Sequence, residues 1–224
     1  MKNLLLLHGA LGSEDQIKPL IELLSNDFNC KTFSFKGHGH QRKESFTIDS
    51  LAKQTRDFVN GLSWDSYSIF AYSMGGYVAL TGRLSSELNY DKLLCLGTKF
   101  HWTEDSARRE IEHLNPEVIK EKVPAFAKFL ESRHGEDWEE LLHHTKDMML
   151  DLGSNPRLNS LNLNEIPVPV RISRGEHDKM VSRRESRNAA ASLNHGAYLE
   201  LFNNPHPFEQ TDLKELASLI RNFL

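Results

Sequence analysis

The chain has 224 residues, 39% hydrophobic and 26% charged, with a formal net charge of −4. This is the balance of a folded, water-soluble protein, and it offers no electrostatic attraction to nucleic acid or to an anionic membrane. Only two cysteines are present, Cys30 and Cys95, in no Cys-x-x-Cys pair, which fits buried free thiols in a reducing cytoplasm better than a disulfide scaffold.

In chain order, "NLLLL" (Asn3 to Leu7) reads as a buried strand. Its apolar run is too short for the core of a signal peptide, and no segment approaches the length of a membrane span. Ser13 and Gln16 form a capping-box pattern ahead of Ile17, Leu20, Ile21 and Leu24 at helical spacing. A second strand is expected at Lys31 to Phe35. Leu51, Thr55, Phe58, Val59 and Leu62 mark one face of a second helix. Tyr67 to Ala71 reads as the third strand, Gly75 to Leu84 as its helix, and Lys92 to Leu96 as the fourth strand.

The alternation then stops. Residues 99–164 carry no convincing strand. Thr103 to Leu114 has a helical pattern, Asn115-Pro116 is an N-cap followed by proline at the first helical position, and Asp137 to Leu152 is expected to be a helix ended by Gly153. A stretch this long is predicted to be a helical insertion rather than a loop. Alternation resumes with a strand at Val168 to Ser173, a capping box at Ser182 and Glu185, a strand at Tyr198 to Phe202, and a closing helix through Leu213, Leu216, Ala217 and Ile220. The expected organisation is a core in two parts, residues 1–98 and 165–224, interrupted by the insertion at 99–164. Arg183, Arg184 and Arg187 fit the solvated face of a helix better than a phosphate site.

Strand–helix alternation implies a parallel sheet covered on both faces, with the ligand site at the carboxyl ends of its strands. The residues at those ends are "HGALG" (His8 to Gly12), "KGHGH" (Lys36 to His40), Ser73, Asp178 in "RGEHDKMV", and His206 in "NNPHPFEQ". A serine, an acid and a histidine thus fall after three different strands. Serine alone is a weak nucleophile and needs a base, which in turn needs an orienting carboxylate. Read singly, Ser73 is equally a helix cap. Among the histidines, His195 precedes the last strand and His206 follows it, at the productive end. His143 and His144 fall in the insertion, and His38 and His40 lack the third cluster a metal site needs.

These motifs resemble those of the α/β-hydrolase superfamily along nearly the whole chain. "AYSMG" matches the nucleophile-elbow pattern G-x-S-x-G with Ala71 in place of the first glycine, and the order Ser73, Asp178, His206 is that of the family. "HGALG" is similar to its oxyanion loop, "KGHGH" to its Gly-His-Gly turn, and residues 99–164 to its helical lid. The resemblance implies a three-layer fold with a six-stranded, all-parallel sheet, lacking the two strands that usually precede the oxyanion loop. It also assigns the acid to Asp178 rather than Glu176, and the oxyanion N–H donors to Met74 and Ala10. Phe100, Trp102 and Tyr72 are candidates for the substrate pocket, although packing between lid and core accounts for them equally well. The activity implied is that of a cytoplasmic serine hydrolase acting on an ester, thioester or similar carbonyl of a small molecule, with no metal, no organic cofactor, and no nucleic-acid or membrane partner. The alternatives are a carbon–carbon hydrolase, lyase or peroxidase-like enzyme of the same fold, or a non-catalytic receptor. The lyase type tends to carry arginine where this chain has Tyr77, and the aspartate-nucleophile branches are disfavoured by Ser73.

Overall fold

The computed structural model describes residues 1–224. Six strands form one sheet: β1 (Lys2–Leu7), β2 (Phe28–Thr32), β3 (Ser68–Tyr72), β4 (Leu93–Leu96), β5 (Val170–Gly175) and β6 (Gly196–Leu201). Their order is β2-β1-β3-β4-β5-β6, and every neighbouring pair is parallel. β3 is therefore interior, and β1 lies between β2 and β3, as the sequence implies.

Parallel strands need crossover connections, and these supply the covering layers. Side chains alternate between faces along each strand. Leu5, Leu7, Ile69, Ala71, Leu93, Cys95, Val170 and Ile172 share one core with Leu51 and Val59 of α2 (Ile48–Gly61), Val78 of α3 (Met74–Leu84) and Ala189 of α8 (Arg183–Ser192). Leu4, Leu6, Phe70, Tyr72, Leu94 and Leu96 share the other with Ile17 and Leu20 of α1 (Glu14–Leu24) and Leu216 and Ile220 of α9 (Leu213–Phe223). Burial on both faces is why β1, β3 and β4 are predominantly apolar. Cys30 and Cys95 are unpaired, and burial pushes the Cys95 thiol up to about 12 and Cys30 to about 11. No helix is long and apolar enough to cross a membrane.

Between β4 and β5 the chain forms four helices, α4 (Glu104–Ile111), α5 (Pro116–Lys122), α6 (Pro124–His134) and α7 (Trp138–Ser154). Asn115 caps α5, its Oδ1 accepting from the N–H groups of Glu117 and Val118. Pro124 occupies the first position of α6, where its missing N–H costs nothing.

Three local expectations are corrected. β2 ends at Thr32, so Phe33 and Phe35 lie beyond it. On this edge strand only Phe28 is buried, and the Phe35 ring instead packs edge-on against His8 at 4.7 Å. The periodic signal thus marked a buried loop. Gly153 does not end α7; it lies inside it, because a Cβ there would meet Ala107 Cβ at 2.7 Å where α7 crosses α4. Ser13 caps α1 in backbone conformation only. Its hydroxyl makes no cap bond, the Gln16 amide has turned to Glu209 Oε1 (3.0 Å), and Glu14 N–H donates to Ser34 Oγ instead (3.1 Å). The Ser182–Glu185 box is formed as expected.

Candidate active site

Ser73 stands between β3 and α3 with φ 49° and ψ −115°, a left-handed conformation that a serine holds only when its surroundings impose it. Its N–H donates to Leu96 O (2.8 Å), and its C=O accepts from Gly76 N–H and Thr98 Oγ1, both at 3.0 Å. The turn is tight because the helix start crosses β1 closely. A Cβ at Gly75 would lie 2.8 Å from His8 O and 2.9 Å from Leu7 Cβ. At the first small position of the motif, Ala71 is fully buried in the middle of the sheet, paired with Leu7 and Cys95.

Two further loops meet this corner. After β5, Asp178 is buried, with Oδ1 accepting the N–H groups of Met180 and Val181 (both 2.8 Å) and Oδ2 2.7 Å from His206 Nδ1. A carboxylate accepts, so Nδ1 carries the proton and Nε2 is left as an acceptor. That Nε2 lies 3.4 Å from Ser73 Oγ, a long contact of the kind that tightens when substrate binds. Tyr72 donates its hydroxyl to the His206 carbonyl (2.9 Å), and burial holds the phenol far above its usual range, so it remains a neutral donor. The buried Arg174 side chain donates to the carbonyls of Asp178 (2.8 Å) and Val181 (3.1 Å) and pairs with Glu200. The sequence carries no cue for Arg174, because an arginine inside a strand gives no local sign of what it clamps.

The loop after β1 is held by two buried histidines. His8 Nε2 accepts from Phe35 N–H (2.9 Å) and its Nδ1 donates to Gly9 O (2.7 Å). His134, at the end of α6, accepts from Gly39 N–H at Nδ1 and donates from Nε2 to Leu11 O, both at 2.9 Å. Each ring must be neutral to make both bonds. Burial is the main cause that lowers His8 to about 3, His134 to about 4, and His38 well below the ordinary value. The sequence carries no cue for His134, which reads as an ordinary residue of a helix's last turn. No group of three His, Cys, Asp or Glu side chains converges as metal ligands. The N–H groups of Ala10 and Met74 have no backbone acceptor within the protein, which leaves them able to receive an anionic oxygen.

A cavity of about 650 Å³ opens beside Ser73 and His206, lined also by Ala10 and Tyr72 and by insertion residues including Leu114, Phe126, Phe129 and Met149. A smaller chamber of about 30 Å³ adjoins Ser73 and contains Trp102. Phe100 is not brought to either. Its N–H and that of His101 both donate to Glu185 Oε1 (2.6 Å each), which turns this segment toward α8 and sets Phe100 in a separate surface depression.

A family model described as the alpha/beta hydrolase fold matches residues 2–82. No curated protein matches the chain by sequence. Among solved structures the chain is similar to NosK from Streptomyces actuosus, with a TM-score of 0.81, 17% identity, and coverage of 99% of this chain and 96% of that one. It is also similar to the 2-hydroxy-6-oxo-6-phenylhexa-2,4-dienoate hydrolase of Rhodococcus sp. strain RHA1, with a TM-score of 0.78, 18% identity, and coverage of 99% and 89%. A thermophilic esterase from Thermogutta terrifontis follows, with a TM-score of 0.74, 19% identity, and coverage of 99% and 89%.

Proposed function

The chain has the α/β-hydrolase fold, and from that premise we propose that it is a serine hydrolase of esters, thioesters or similar small carbonyl compounds. The observation that carries this reading is the relay of 3.4 Å from Ser73 Oγ to His206 Nε2 and 2.7 Å from His206 Nδ1 to Asp178. A serine acting only as a helix cap would accept from the N–H groups of its helix; Ser73 makes no such bond.

In this mechanism Ser73 Oγ forms a bond to the carbonyl carbon as His206 Nε2 takes the hydroxyl proton. Asp178 keeps the imidazole in the tautomer that can accept, and stabilises the imidazolium formed. The carbonyl electron pair moves onto oxygen, where the Ala10 and Met74 N–H groups receive it. Collapse breaks the bond to the leaving oxygen or sulfur, which takes the proton from His206. Water, deprotonated by the same nitrogen, then releases the acid and restores Ser73. Residues 99–164 serve as the lid, and their side chains set which substrates fit.

The same three groups can act on a carbon–carbon bond, and the likeness to the Rhodococcus hydrolase favours testing this second. The deciding experiment is a panel of activated esters and thioesters with the wild-type protein, alongside labelling by a fluorophosphonate. The expected result is ester turnover and a covalent adduct on Ser73. Absence of both overturns the reading.

A further inference from the structure

The Ser73 hydroxyl stands where two unequal chambers meet. Both are lined by Ala10, Ser73, Met149 and Met180. The larger, about 650 Å³, also holds His206, whereas the smaller, about 30 Å³, holds Met74, Tyr77 and Trp102 but not His206. Resting on the serine-hydrolase reading, we infer that the preferred substrate joins a short acyl group, acetyl or propionyl, to a bulky leaving group.

The chemistry decides which part goes where. At the tetrahedral carbon, one substituent is Ser73 Oγ and a second is the oxyanion, facing the Ala10 and Met74 N–H groups. A third, the leaving atom, must lie against His206 Nε2 to receive its proton. The leaving group therefore extends into the chamber that contains His206. The acyl substituent takes the remaining direction, away from His206 and past the N–H donors, toward Tyr77 and Trp102 in the small chamber. A cavity volume of about 30 Å³ has room for about two groups the size of a water molecule. Its walls do not yield easily. Met148 and Leu152 are buried on α7, and the Tyr77 hydroxyl is held by the N–H groups of Arg157 and Leu158 (both 3.0 Å). The polar groups at its edge are already partnered, Lys99 with Glu110 at 3.0 Å, so the chamber presents apolar surface to an alkyl group. Met149 and Met180 form the partition between the two spaces.

The test is kcat/KM for p-nitrophenyl esters from acetate to octanoate, with the leaving group held constant. We expect a fall of at least about 100-fold from acetate to octanoate, since each methylene without room costs about tenfold or more. Met149→Ala and Met180→Ala open the partition and raise the octanoate-to-acetate ratio by about tenfold. Met180 lies in a partly exposed loop, so that variant folds even if the buried Met149 does not tolerate truncation. Octanoate cleaved as well as acetate by the wild type overturns the inference, as does an unchanged ratio in folded Met180→Ala. If a fluorophosphonate labels Ser73 in those cases, the serine-hydrolase reading survives alone. If no ester is cleaved and Ser73 is not labelled, both fall together.

Discussion

The sheet with its strand-end loops and the helices of residues 99–164 meet at one cavity but are held in different ways. β3 and β4 are buried along their whole length; Ser73 follows β3, Asp178 follows the nearly buried β5, and His206 follows the edge strand β6. The insertion exposes Val118, Val123, Phe126 and Leu150, and several of its ties to the core are single polar contacts. His134 bonds to Leu11 and Gly39, Arg133 pairs with Glu209 (3.0 Å), Arg157 pairs with Asp49 (2.8 Å), and Tyr77 holds the chain after α7. In the mechanism proposed above, the sheet positions the reacting atoms and residues 99–164 shape what reaches them. Damage to the first shows as lost turnover at intact stability, and damage to the second as shifted stability and altered substrate choice.

The sharpest way to break this contrast is at Ser73. Ser73→Ala is expected to lower turnover by about 10⁴-fold or more while barely changing the melting temperature. His206→Ala does the same, and the double variant is little worse than either, because the groups act as a unit. Initial rates on any cleaved ester check this, and retention of most of the wild-type rate by Ser73→Ala would sink the proposed mechanism.

Acid reaches the join between the two regions. His8 and His134 remain neutral in the folded protein down to about 3 and about 4, whereas in the unfolded chain they take a proton near 6.5. The unfolded state therefore binds more protons below that pH, and stability present above about 6.5 is lost as the pH falls toward the folded values. At pH 5 the loss is about 2 kcal/mol for each of these two histidines, and His38, lowered in the same direction, adds to it. Urea unfolding at pH 7, 6 and 5 measures the slope. In His134→Phe the slope between pH 7 and pH 5 falls by about 1 kcal/mol per pH unit, the share of one histidine that takes its proton only on unfolding; an unchanged slope means His134 titrates freely.

Tyr77→Phe isolates one tie. It leaves two backbone donors, Arg157 N–H and Leu158 N–H, without their acceptor, at a cost of about 1–3 kcal/mol in urea unfolding. Turnover per folded molecule should change far less than in Ser73→Ala. A loss as large as that of Ser73→Ala would show that the insertion takes part in the chemistry.

The smallest effect is expected on the outer surface of the insertion. Arg108 and Glu104 form an exposed i,i+4 pair at 3.2 Å, and Arg108→Ala should move stability by no more than about 0.5 kcal/mol. A larger shift would mean that the outer face of α4 is covered in solution.

Much of the molecule is legible in the residues themselves. Strands buried on both faces must be apolar throughout, so β1, β3 and β4 stand out as runs, and the parallel sheet follows from the helices between them. Ser73, Asp178 and His206 can be picked out because each lies a few residues past a strand, and in a parallel sheet all strand ends share one edge. Local rules fail where a neighbour distant in sequence intervenes. Phe33 and Phe35 mimic a strand but pack beneath a loop, Gly153 mimics a helix stop but makes room for Ala107, and Phe100 is turned away by Glu185. The strand periods, the elbow and the chain order of the three polar residues are properties of short segments, set by backbone geometry. Which way Phe100 faces, which histidine steadies the loop of Ala10, and how much space lies on either side of Ser73 are decided by packing between segments far apart in sequence, 123 residues for His134 and Leu11. No single segment carries that information, because a cavity is the space its walls leave between them.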